Sequence, residues 1–189
     1  VMVLVGLLGA CGGSAGSAPA GQSANSNPNG PEVNAAGDIP DNQVYVPYSD
    51  PGGLFTVSVP QGWSRSASGS GVVFTDKLNS VRIEAQPRPT APDVASARAQ
   101  EVPRLQGSVT GFKLGDVSTA QRSAGAAVLV TYQAVSASNA VTGRSAVEAV
   151  ERYEFWKGGQ EVILTLSGAQ GADNVDPWKK ITDSFRWNR

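Results

Sequence analysis

Residues 145–168 read SAVEAVERYEFWKGGQEVILTLSG. Two runs of strand-like residues flank Gly158-Gly159, a pair that tolerates the positive backbone angles of a two-residue hairpin turn. Tyr153 and Phe155 fall on one face of the first run. Val162, Leu164 and Leu166 fall on one face of the second. Side chains alternate across a strand, so this pattern predicts a long antiparallel hairpin with one buried face. Its polar face would carry Glu148, Arg152 and Glu154, with Trp156 opposite Phe155 in the pleat.

The neighbouring sequence extends the same sheet. FKLGDVSTAQ (112–121) and AAVLVTYQAVSA (126–137) predict a second hairpin, turning near Ser123-Ala124-Gly125. Upstream, Phe55, Val57 and Val59 alternate with Thr56 and Ser58, and Pro60-Gln61-Gly62 ends that strand. Residues 71–76 and 80–86 read as two more strands, with a tight turn at Leu78-Asn79. Between the sets, residues 91–106 read as a helix. Thr90 and Asp93 give a capping-box-like start, and Val94, Ala97, Val102 and Leu105 form a stripe; Pro103 should kink or end it. At the other end, DPWKKITDSFRW (176–187) places Asp176 at the N-cap and Pro177 at the first helical position. Trp178, Ile181 and Phe185 give that helix an apolar side. Short connections between consecutive strands imply antiparallel pairing, so the expected class is α+β: an antiparallel sheet flanked by helices.

The chain has 189 residues, 15 basic and 16 acidic. That length suits one domain with an ordinary core. The near-zero net charge argues against a nucleic-acid partner. There is no histidine, which removes the commonest general base and metal ligand. One cysteine allows no internal disulfide and no cysteine-based metal site. No cofactor and no metal is expected.

That single cysteine, Cys11, follows an apolar run, Val1–Leu8, too short to span a bilayer as a helix. The run fits the apolar part of a secretory signal whose positive start is missing, so residues 1–10 are read as a signal remnant. Leu8-Gly9-Ala10-Cys11 resembles a bacterial lipobox. Cleavage between Ala10 and Cys11 would leave a cysteine whose thiolate accepts a diacylglyceryl group. Each buried methylene adds about 0.8 kcal/mol, so two or three chains hold a protein at a membrane. Residues 11–44 are almost all small or polar and are read as a lipidated, disordered linker. As a flexible coil it would span roughly 30 Å. The globular domain is placed at residues 45–189, on the extracytoplasmic face of the cell membrane.

No nucleophile–base pair stands out. Glu148, Glu151 and Glu154 invite comparison with the paired carboxylates of glycosidases, but interleaved with Arg152 they read as a solvated strand face. Asp173, Asn174 and Asp176 lack calcium-loop spacing and read as a helix cap. Ser68-Gly69-Ser70-Gly71 is not a phosphate loop, since no Lys-Ser/Thr follows. Of four tryptophans, Trp63 and Trp178 read as core, and Trp156 is the candidate contact surface.

Taken together, FTVSVPQGW (55–63), VVFTD, SVRIEA and the closing DPWKKITDSFRW resemble the PsbP/Mog1-type α/β/α sandwich. With the lipobox and linker the chain is similar to actinobacterial LpqN/LpqT-type lipoproteins. The resemblance covers residues 45–189 and implies a binding or assembly module of the cell envelope, with an envelope protein or lipid as partner, rather than an enzyme. Two other readings stay open: a lipid or glycolipid carrier working with an envelope transporter, its cargo between sheet and helix, and a carboxylate-based hydrolase.

Overall fold

The structure, a computed structural model, describes residues 37–138 and 143–188. Ala10 and Cys11, and most of the expected linker, lie outside the described residues.

A seven-stranded antiparallel sheet carries the fold. Its strands are β3 (Ser64–Ser68), β4 (Gly71–Asp76), β5 (Asn79–Pro87), β6 (Lys113–Arg122), β7 (Gly125–Val135), β8 (Val147–Lys157) and β9 (Gln160–Ala169), in the spatial order β3-β4-β5-β9-β8-β7-β6. The expected hairpin is central: β8 and β9 pair from Glu148↔Ala169 to Lys157↔Gln160, and Gly158 and Gly159 both take positive φ in the turn. The β4–β5 turn is Lys77-Leu78, one residue earlier than expected, because Asp76 pairs with Asn79; Lys77 adopts φ 51°.

A second, three-stranded sheet was not anticipated. It joins β1 (Tyr45–Ser49), β2 (Phe55–Pro60) and β10 (Arg186–Trp187) in the order β1-β2-β10. The strand around Phe55, Val57 and Val59 therefore pairs with the chain's end instead of the main sheet. This small sheet and helix α3 (Val175–Ser184) cover one face of the large sheet. There Phe55, Val57, Phe74, Leu164, Leu166, Trp178, Ile181 and Phe185 form the main core. Phe185 stacks on Phe155 with ring centroids 4.4 Å apart.

The opposite face carries the other helical run, α1 (Val94–Ser96), a π-helical turn (Ala97–Glu101) and α2 (Val102–Ser108). Its true N-cap is Asp93, whose side chain accepts from the Ser96 N–H while Ser96 Oγ accepts from the Asp93 N–H, so Thr90 is not the cap. The run does not end at Pro103. The Val102 N–H reaches back to the Ala97 carbonyl, a five-residue step, so the widened turn falls just before the proline ring that would crowd a regular helix. Ala97 and Leu105 pack on Val117, Val128, Val130, Tyr132 and Val150 as a second, smaller core.

Helix α3 is capped by Asn174 rather than Asp176, which sits in the first turn with Pro177 after it. The Asn174 side chain is occupied elsewhere. Its Oδ1 accepts from the Ile39 N–H at 2.8 Å, and its Nδ2 donates to the Gly37 carbonyl and to Asn79 Oδ1. Asn79 Nδ2 donates to the same Gly37 carbonyl at 2.9 Å. Ile39 is buried in the main core, so the packed body reaches back before Tyr45, into what had been read as linker. Among the described residues no helix is long and apolar enough to cross a membrane.

Candidate functional site

The strand register places three rows of side chains on the helix-bearing face. Arg82, Thr165 and Arg152 form one row, with Val130 beyond; Glu84, Ile163 and Glu154 form the next; Gln86, Glu161 and Trp156 form the third. Two of these carboxylates are all but sealed: Glu154 and Glu161 are each 1% exposed. The expectation of a solvated strand face is thus wrong for Glu154 and Arg152. The helical run lies over them, and its Glu101 pairs with Arg152, while Arg88, just past β5, pairs with Glu154 and Glu161.

Arg88 Nη1 reaches both Glu161 Oε1 and Glu154 Oε2, the latter at 3.2 Å. Gln86 Nε2 donates to Glu161 Oε2 at 2.7 Å. Arg152 donates through Nε to Glu154, through Nη1 to Thr165 Oγ1 and through Nη2 to Glu101 Oε1 at 2.8 Å. Arg104 grips the same Glu101 with Nε and Nη2. A buried ion that loses its partner costs several kcal/mol, roughly the effective penalty of taking one charge out of water, so the network stands or falls as a unit.

The electrostatics follow from this packing. Burial pushes the Glu154 carboxyl above its ordinary range, against the pull of Arg152 and Arg88. For Arg88, burial works downward, but the hydrogen bond and charge of Glu161, then those of Glu154, carry the guanidinium above its usual value. The hydrogen bond to Glu101 raises Arg104. Burial raises the Tyr132 hydroxyl, which stands within the field of Arg152 and Glu101.

Between the helical run and strands β5, β9 and β8 lies a cavity of about 410 Å³, lined by Arg82, Glu84, Glu101, Arg104, Arg152 and Tyr132 among others. A neighbouring hollow of about 270 Å³ shares Gln86, Glu101 and Arg104 with it. An acyl cargo held between sheet and helix needs mostly apolar walls. The walls here are mostly charged and polar, with an apolar part at Leu105, Val109 and Ile163.

Trp156, the candidate contact residue, is half-buried on this same face. Its indole N–H donates to the Arg88 carbonyl at 2.7 Å. It lines a further hollow of about 300 Å³ with Ala91, Pro92, Thr119, Val128 and Glu154. Phe155, its neighbour in the pleat, points the other way into the main core. Trp178 is core, as expected, and Trp63 packs against the same cluster.

The remaining candidates separate. Glu151 lies on the opposite face of β8, where it accepts from the Tyr153 hydroxyl at 2.6 Å, and Arg122 donates to the same hydroxyl at 2.7 Å. Glu148 is partly buried near the start of β8, and burial raises its carboxyl. The three glutamates therefore do not converge. Among the described residues there is no cluster of acidic or sulfur ligands fit for a metal ion. Gly69 and Ser70 form the β3–β4 turn. Glu161, Arg88 and Glu101 were missed by sequence reasoning. Glu161 lay beside the Gly-Gly turn, where a carboxylate normally meets water.

No family model and no curated protein matches the chain. Solved structures do. The solution structure of cyanobacterial PsbP from Synechocystis matches with a TM-score of 0.50 at 16% identity, over 80% of this chain and 98% of that one. The fold is of the PsbP/Mog1 type. Two further solved structures match at lower TM-scores. The Ran-binding protein Mog1p of Saccharomyces cerevisiae scores 0.48 at 12% identity, over 76% of this chain and 95% of that one. LpqN of Mycobacterium tuberculosis, described as involved in cell envelope biogenesis, scores 0.42 at 18% identity, over 78% and 92%. The chain spans about half, 48%, of a matching Bacteroides thetaiotaomicron protein. At these identities the PsbP/Mog1-type likeness concerns the fold.

Proposed function

We propose that the chain is a non-catalytic binding or assembly module, held at the extracytoplasmic face of a cell membrane by lipid on Cys11, with an envelope protein or lipid as partner. The observation that carries the binding reading is the satisfied state of the helix-side cluster. Glu101, Glu154 and Glu161 are each held by at least one arginine. A glycosidase-type acid or nucleophile must instead reach its substrate freely. Around these locked charges lie open hollows and the half-buried Trp156, which are features of a recognition surface. The anchoring part is supported by Leu8-Gly9-Ala10-Cys11, which holds the chain's only cysteine.

The test uses the chain expressed in its native cells. Intact mass is expected to show a diacylglyceryl adduct at Cys11, and Cys11→Ala is expected to move the protein out of the membrane fraction. Crosslinking through a photoreactive group at position 156 is expected to capture a discrete envelope component. An unmodified Cys11 with unchanged membrane fractionation of Cys11→Ala overturns the anchor. Turnover of a glycoside or ester substrate that is abolished by Glu154→Gln overturns the non-catalytic reading.

A further inference from the structure

The cleft of about 410 Å³ beside the helical run is more than a gap in the packing. Its charged lining is unequal: Arg82, Arg104 and Arg152 face Glu84 and Glu101, three positive charges against two negative. The two carboxylates are not equally available. Glu101 is saturated by Arg104 and Arg152, and Glu84 is engaged by Arg82 Nη2 at 2.9 Å. The arginines keep donors in reserve. Among the described residues Arg82 bonds through Nη2, and Arg104 through Nε and Nη2, so each leaves Nη1 uncommitted, one on a sheet residue and one on a helix residue.

Arg82 Nε adds an independent sign. It is buried and has no hydrogen-bond partner among the described residues, on a side chain that lines the cleft. A buried donor left unpaired in the protein is normally satisfied by water or a ligand. Tyr132 lines the cleft as well. The remaining wall is apolar, formed by Leu105, Val109 and Ile163.

We propose that this cleft binds a small organic anion of single charge, its carboxylate or phosphodiester oxygens bridging Arg82 and Arg104, with Tyr132 as a further donor and an apolar body against Leu105, Val109 and Ile163. Guanidinium groups present paired N–H donors that match such oxyanions. One negative charge completes the lining; a doubly charged ligand meets Glu84 and Glu101. The two sources of this chemistry are a free metabolite and a membrane lipid headgroup. The proposal rests on reading the helix-side face as a binding surface.

The experiment follows backbone amide shifts of the full chain titrated with benzoate, dibutyl phosphate and, as a cationic control, butylammonium. Saturable shifts around residues 82–86, 101–109 and 132 with either anion, and none with the cation, are expected. Arg82→Gln and Arg104→Gln should each weaken that binding by about tenfold or more, as lost charge-assisted hydrogen bonds do, and Tyr132→Phe by about threefold. Both arginines are substantially exposed and Glu101 keeps Arg152, so these variants are expected to fold, which the dispersion of their amide spectra checks. Arg186→Gln, on the small sheet, should leave binding unchanged. Benzoate binding alone assigns a free carboxylate. Dibutyl phosphate binding, together with the same shifts on phosphatidylglycerol vesicles, assigns a headgroup. Absence of saturable shifts, an equal response to butylammonium, or affinity unchanged in both arginine variants overturns the proposal. A chain that takes no anion yet still crosslinks a partner at position 156 overturns the ligand and leaves the binding-module reading standing.

Discussion

Arg152, in the middle strand of the β7–β8–β9 group, donates to Glu101 of the helical run at 2.8 Å, and both side chains are buried. The bond ties the helix to the sheet where the second core is thin. Removing one member leaves the other buried with a single remaining charged partner, Arg104 for Glu101 and Glu154 for Arg152, which costs up to about 3–5 kcal/mol. Arg152→Leu is expected to lower stability by that amount in urea unfolding, and Glu101→Leu by somewhat less, since Arg104 is freer to rehydrate. Because the pair acts together, the double variant should lose less than the sum of the singles, by about 0.5 kcal/mol or more. Strict additivity would show that the two residues do not depend on each other.

Glu154 makes stability depend on pH in an unusual direction. Its carboxyl is raised in the folded protein, mainly by burial. The folded state therefore holds this proton more tightly than the unfolded one. Stability from this group is fully present below the ordinary carboxylate value and falls as pH rises through the folded value. Urea midpoints measured from pH 4 upward should show wild type losing ground relative to Glu154→Gln as the carboxyl ionises. A wild-type advantage that grows with pH would mean that the arginines outweigh desolvation.

Gly168 is held open for a neighbour. A Cβ there would sit 2.6 Å from both Asn174 Nδ2 and Asn79 Oδ1, two atoms that are bonded to each other at 3.0 Å. Gly168→Ala must push this amide pair apart, leaving polar atoms unsatisfied at a cost of about 1–3 kcal/mol. Thermal unfolding checks the loss. Amide exchange at Ile39, whose N–H bonds Asn174, should rise with it.

Phe185 closes the main core between α3 and the two sheets. It stacks on Phe155, lies 5.7 Å from Phe55 by ring centroids and meets Trp187 edge-on at 5.2 Å. Phe185→Ala should cost about 3–5 kcal/mol, as large aromatic truncations in packed cores do. Phe185→Leu should cost clearly less, and the difference is readable in denaturant midpoints.

The large sheet was legible wherever alternation and a glycine turn coincided, as in 145–168, because period two and positive φ are local properties. The small sheet was not. Tyr45–Ser49 has weak alternation, as does Ser64–Ser68 at the edge of the large sheet, and the pairing of Phe55 with Trp187 joins segments far apart in the chain. No window of sequence carries such a contact. The same reasoning explains the helix-side cluster. Glu154 reads as solvent-facing, and Glu161 draws no reading, because their partner Arg88 and the Glu101 of the covering helical run are remote along the chain. Asn174 was passed over for Asp176 because its side chain caps nothing and instead spans three segments. Trp156 lies on the face opposite Phe155, as the pleat requires, but its anchor on the Arg88 carbonyl follows only from the fold.

The clasp at Gly37 also has a mechanical meaning. Gly37, the first described residue, is pinned by the Asn79 and Asn174 side chains and stands two residues before buried Ile39. A pull arriving through the preceding residues loads this clasp before it reaches β1, the outer strand of the small sheet. The asparagine pair therefore sets the force at which the body starts to come apart from its N-terminal side, and because Asn79 begins β5 the load passes straight into the large sheet while the clasp holds.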